Sequence, residues 1–151
     1  MKTYVLMLAK YFPLYHYRAG KETGFKDKLL EGKKIHTIRS NYPLWSKRIK
    51  EVQTGEALIS IRQWAGKPYK SKQIEIAKLF KENRLGIESF IIPEIGELAT
   101  VLDHYEGIDS NDGLSRLDWM NWFEHYERNK ELAIIHFTDF RYSSSKQNEK
   151  I

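Results

Sequence analysis

The stretch EGKKIHTIRSNYPLW, Glu31 to Trp45, places Lys33, Lys34, His36, Thr37 and Arg39 in near succession, interrupted by Ile35 and Ile38. The segment before it, TGFKDKLLEGKK, reads as a short helix: Thr23 is an N-cap, Phe25, Leu29 and Leu30 share one face, and Gly32 supplies the stop. KIHTIR then reads as a strand, in which Lys34, His36 and Ile38 point to one side and Ile35, Thr37 and Arg39 to the other. After a turn at SNYP, LWSKRIKEV has helical spacing through Leu44, Ile49 and Val52. A short helix, a strand with polar groups on both faces and a second helix form the centre of the predicted fold.

Outward from this centre the chain gives further strands. TYVLMLA (Thr3 to Ala9) is rich in β-formers, EALISIRQW alternates Ala57, Ile59 and Ile61 against Leu58, Ser60 and Arg62, and KQIEIAKLFKE alternates in the same way. Between the first strand and the first helix, YFPLYHYRAGKETG is an aromatic loop long enough to carry function. IESFIIP reads as extended, and EIGELATVLDHY as a helix or an irregular crossover. In SNDGLSRLDWMNWFEHY, Asp112-Gly113 makes a turn and Ser115 caps a short aromatic helix through Leu117, Met120, Trp122, Phe123 and Tyr126. LAIIHFTDFRY is a closing strand. Short strands interspersed with short helices predict an α+β domain built around a small β-barrel, rather than a doubly wound parallel sheet with its longer helices. The expected organisation is one domain over residues 1–142, followed by a disordered polar tail over 143–151.

Composition narrows the function classes. The chain has no cysteine, so disulfides, thiolate nucleophiles and thiolate metal sites are excluded. The initial apolar run stops at Lys10 and is too short to span a bilayer, so no membrane association and a cytoplasmic location are expected. The formal charge of +5 suits a polyanionic partner. Lys47, Arg48, Lys50, Arg62, Lys67, Lys70 and Lys72 are interleaved with Trp45, Trp64 and Tyr69, which is the mixture of cations and ring faces that a single-stranded nucleic-acid surface uses. From spacing alone, a solvated face with ordinary core aromatics is the better reading.

Three chemistries compete for GKKIHTIR. A phosphate loop would need an earlier glycine and a helix directly after the lysine, and neither is present. A metal site would need clustered ligands, and His16, His36, His104, His125 and His136 are dispersed, so neither metal nor cofactor is expected. What remains is either an exposed lysine beside a strand threonine, which spacing alone favours, or a lysine that burial could turn into a base, three residues before a hydroxyl that it could activate. Strand alternation puts Lys34 and Thr37 on opposite faces, so they converge only if the backbone bulges or twists where the helix ends. Arg39 can hold a phosphate or a substrate carbonyl, or pair with a buried carboxylate. His36 reads as a structural histidine, and one of Trp119 and Trp122 as a border of the cleft.

FKDKLLEGKKIHTIR, the glycine-initiated strand GEALISIR, and NDGLS ahead of WMNWF together resemble the ASCH family of the PUA-like superfamily. Its most recognisable feature is a short helix followed by G-[KR]-K-x-x-T-[IV]-R, and the match runs from about Phe25 to Phe137. The resemblance implies a PUA-like barrel with flanking short helices and a cleft for a nucleobase, a nucleoside or RNA. Some members hydrolyse N4-acetylcytidine with a lysine, a threonine and a glutamate. The first two correspond to Lys34 and Thr37, and the acid to Asp112, one methylene shorter. The expected function is binding of RNA or a modified nucleoside in a basic, aromatic cleft lined by Arg39, Trp45, Arg62, Trp64, Lys67 and Tyr69. The alternatives are removal of an N4-acyl group from a cytidine by Lys34, Thr37 and Asp112, and cleavage of RNA.

Overall fold

A computed structural model describes residues 1–94 and 98–143. Apart from Ser143, the expected polar tail lies outside the described residues. The described residues form six strands, β1 (Lys2–Leu8), β2 (His36–Arg39), β3 (Ala57–Trp64), β4 (Gln73–Leu79), β5 (Gly86–Ile91) and β6 (Glu131–His136), and five α-helices, α1 (Phe25–Leu30), α2 (Tyr42–Gln53), α3 (Leu98–His104), α4 (Ile108–Asn111) and α5 (Arg116–Phe123). The α+β class expected from the sequence is what the chain adopts.

The strands make two three-stranded sheets, β1-β3-β4 and β2-β6-β5. β1 runs parallel to β3, with Lys2 opposite Ala57 and Leu8 opposite Gln63. Parallel neighbours need a long connection, and here α1, β2 and α2 supply it. β4 returns antiparallel along β3, with a register shift at Ile61/Arg62. In the second sheet β6 is central and antiparallel to both neighbours, with His36 opposite His136 on one side and Gly86 opposite His136 on the other. Among the described residues no ladder joins the two sheets into a closed barrel. No described helix is long and apolar enough to cross a membrane.

The core lies where α2 packs against β3, β5 and β6. Ile49 and Val52 of α2, Ile59 and Ile61 of β3, and Ala133, Ile134 and Ile135 of β6 are completely buried. This explains the continuous apolar run of β6, whose two faces are both covered. β2 has both faces covered too: His36, Thr37 and Ile38 are all buried, so its mixed polar residues are interior groups.

Two local expectations are corrected. The cap of α1 is Gly24, one residue after Thr23; the Thr23 hydroxyl donates to Ala9 O at 2.7 Å and accepts from Phe25 N–H at 3.2 Å. In α5 Leu117 is solvent-facing, and the inward face is carried by Trp119 and Phe123, four residues apart. Ser115 caps this helix as expected, its hydroxyl accepting from Asp118 N–H at 3.2 Å.

Candidate functional site

Lys34 reaches the interior because of how α1 ends. Gly32 takes up a left-handed conformation (φ 76°), and the N–H groups of Lys33 and Lys34 both turn back onto Lys28 O, at 2.8 and 3.0 Å. Lys34 therefore precedes β2 and escapes strand alternation, so it can lie beside Thr37 without a bulge. Ile35 then donates to Asn111 O at 2.8 Å, which pins the end of α4 beside the start of β2 and delivers Asp112, the C-terminal cap of α4, to Lys34.

The Lys34 ammonium donates to Asp112 Oδ1 at 2.9 Å and to Asp112 O at 2.7 Å, and it sits 4.1 Å above the centre of the Phe25 ring. Lys34 is 2% exposed and Asp112 4%. Burial lowers the lysine below its ordinary value, with the Asp112 charge opposing. Burial would raise the Asp112 carboxyl, but the Lys34 charge and the neighbouring His36 bring it below the usual carboxylate range. The result is an ionised aspartate beside a lysine that gives up its proton more readily than an exposed one.

Lys34, Thr37, Arg39 and Asp112 line one small, partly open cavity of about 50 Å³, walled by Phe25, Trp122 and Tyr126. The Thr37 hydroxyl makes no hydrogen bond to any described residue. Arg39 donates to Met7 O and carries a buried Nε without a partner. Among the described residues no carboxylate lies within ion-pair distance of Arg39, so the carboxylate-pair reading of this arginine is not realised. Burial pulls the guanidinium down, with Tyr126 and Asp112 acting in the opposite direction. This is an underused cation facing a cavity. Trp122 is the tryptophan that borders the cavity, while Trp119 is fully buried behind it.

The other expected contact residues lie elsewhere. Trp45 is a core residue of α2, 9% exposed, with Arg48 stacked on it at 4.8 Å, and it does not line the cavity. Arg62 is tied on β3 to the Ser60 hydroxyl and to Gln73 Oε1, each at 2.9 Å. Trp64 and Lys67 line a separate open groove with Lys10, Tyr11, Phe12 and Lys70. Tyr69, almost fully exposed, stands against Trp64 with ring centres 5.2 Å apart. Groove and cavity meet at Ala9, which borders both.

Tyr126 and Phe25 were missed as wall residues because α1 and the segment after α5 are far apart in sequence. No periodicity reports that meeting. Among the described residues no three His, Asp or Glu side chains converge in a way that would hold a metal ion. No family model, curated protein or solved structure matches the chain.

Proposed function

We propose that the cavity binds the modified base of a nucleoside or RNA and hydrolyses an N4-acyl amide on cytosine. The observation that carries this reading is the juxtaposition, in one small cavity, of a buried lysine–aspartate pair with an unengaged threonine hydroxyl. The resemblance of GKKIHTIR and NDGLS to the ASCH family supplies the substrate class. In the same reading the two sheets are the halves of an open PUA-like barrel, with Arg39 of β2 reaching Met7 of β1 across them.

Lys34 passes its proton to Asp112 and becomes a neutral amine, which takes the Thr37 hydroxyl proton as the oxygen attacks the acyl carbon. Arg39, the underused cation, stabilises charge on the carbonyl oxygen. The C–N bond breaks as Asp112 protonates the departing N4 amine, leaving an acyl-threonine, ionised Asp112 and protonated Lys34. Water then releases the acid and restores the hydroxyl. A cavity of about 50 Å³ holds only water-sized occupants, so a base enters by displacement of a wall. Trp122, edge-on to the Phe12 and His16 rings of the long loop, links this wall to Phe12, which lines the open groove.

The half-buried Trp64 and the exposed Tyr69, with Lys67 and Lys70, support the binding part of the reading: flanking nucleotides stack there while the base enters the cavity. Incubation with N4-acetylcytidine, followed by chromatography of cytidine and acetate, tests the chemistry. Wild-type protein releases both and Lys34→Met releases neither. Protein that binds the nucleoside without releasing cytidine rejects hydrolysis and leaves a binding module.

A further inference from the structure

A second buried chain of polar groups reaches the site from behind. His36, fully buried on β2, places Nδ1 3.6 Å from Asp112 Oδ1 and Nε2 2.6 Å from the Tyr142 hydroxyl. Asn111 Nδ2 donates to the same hydroxyl at 3.1 Å. Burial keeps this phenol protonated. Its oxygen accepts from Asn111, whose amide N–H cannot take the phenol proton, and among the described residues the acceptor within reach of that proton is His36 Nε2. An imidazole that accepts at Nε2 carries its own proton on Nδ1, and that is the buried nitrogen that has no hydrogen-bond partner and faces Asp112.

We propose that His36 is a positioning residue for Asp112: fixed by Tyr142 as the Nδ1–H tautomer, it takes up Asp112 Oδ1 when Lys34 turns to the Thr37 hydroxyl. With Oδ1 occupied, the proton that Asp112 receives resides on Oδ2, which has no partner among the described residues, and this oxygen delivers it to the leaving amine. The inference rests on the hydrolytic reading for its catalytic part but not for the tautomer. The other groups around His36 are compatible with it. The ring of His136 meets it edge-on at 5.5 Å and is engaged through its own Nε2 with Glu88 at 2.8 Å, so His136 does not compete for Asp112. No other motif on the chain predicts this role, since sequence alone makes His36 a core histidine.

Nitrogen-15 NMR of the uncomplexed protein tests the tautomer without substrate. The His36 Nδ1 resonance is of the protonated type and Nε2 of the unprotonated type, and Tyr142→Phe abolishes that preference. Kinetics test the role. His36→Asn carries an amide N–H to the Nδ1 position and retains turnover within a few-fold. His36→Gln places its polar atoms at the Nε2 position and loses roughly ten- to a hundredfold in kcat with KM unchanged, the size of one hydrogen bond to a charged acceptor. A wild-type Nε2–H tautomer overturns the proposal, and so does equal impairment of the two variants, which marks a purely structural histidine. Absence of turnover in the wild type with the Nδ1–H tautomer present rejects the hydrolytic reading and leaves the positioning of Asp112 standing.

Discussion

Asp112→Asn removes one charge from the buried pair while keeping its shape and an acceptor for Lys34. Lys34 retains the Asp112 backbone carbonyl at 2.7 Å and the Phe25 ring, but the carboxylate at 2.9 Å is gone. Breaking a buried pair from one side costs about 3–5 kcal/mol. Lys34 can limit that loss by releasing its proton, so the ceiling at pH 7 is about 5 kcal/mol, the cost of deprotonating a lysine of ordinary pKa. The sign of the pH dependence follows. In the variant the opposing Asp112 charge is gone, so burial takes the folded lysine further below its ordinary 10.5, and it loses its proton while the unfolded lysine still holds one. The unfolded state then binds the extra proton, so stability of the variant rises with pH by about 1.4 kcal/mol per pH unit in that window. Urea denaturation at pH 7 and pH 9 reads both effects, and the deficit relative to wild type narrows at the higher pH. Replacing both partners, Lys34→Met with Asp112→Leu, recovers most of the loss, because no charge is left buried. A deficit under about 1 kcal/mol at pH 7 that is the same at pH 9 would refute the ion pair.

Other consequences are as specific. Glu88 accepts from His136 Nε2, Tyr142 N–H and Ser143 N–H; burial raises its carboxyl, but these bonds take it down to about 2. Its stabilisation is present above pH 4.5 and is lost as pH falls through about 2, so Glu88→Gln flattens the acid limb of the stability profile in that window, and superimposable limbs contradict the assignment. Gly113 has φ of 82°, and a Cβ there would lie 3.2 Å from Lys34 Cβ. Gly113→Ala therefore costs about 1–3 kcal/mol in urea denaturation from left-handed strain and crowding of Lys34, and an unchanged midpoint refutes that account.

The sequence made the α+β class and most elements legible because periodicity and turn residues are local signals. Alternation identified β3 and β4, Gly32 marked the end of α1, and Ser115 the start of α5. The convergence of Lys34, Thr37 and Asp112 came only from the motif resemblance. Strand alternation argued against it, because the pattern does not say that Gly32 and the bonds to Lys28 O hold Lys34 outside β2. Trp45 illustrates the opposite limit. A tryptophan among basic residues reads as a stacking platform until α2 is seen to press it into the core, since composition does not report which helix face is covered. The wall made by Phe25, Trp122 and Tyr126 and the chain from Asn111 to His36 depend on contacts between distant segments.

The central claim, that Thr37 is the nucleophile of an amide hydrolysis, is tested most directly by following cytidine release from N4-acetylcytidine by the wild type, Thr37→Ser and Thr37→Ala under the same conditions. The account predicts release by the wild type and by Thr37→Ser, which keeps a hydroxyl at the same position, and none by Thr37→Ala, whose fold is unchanged. Release by Thr37→Ala at the wild-type rate, or no release by any of the three, would contradict it.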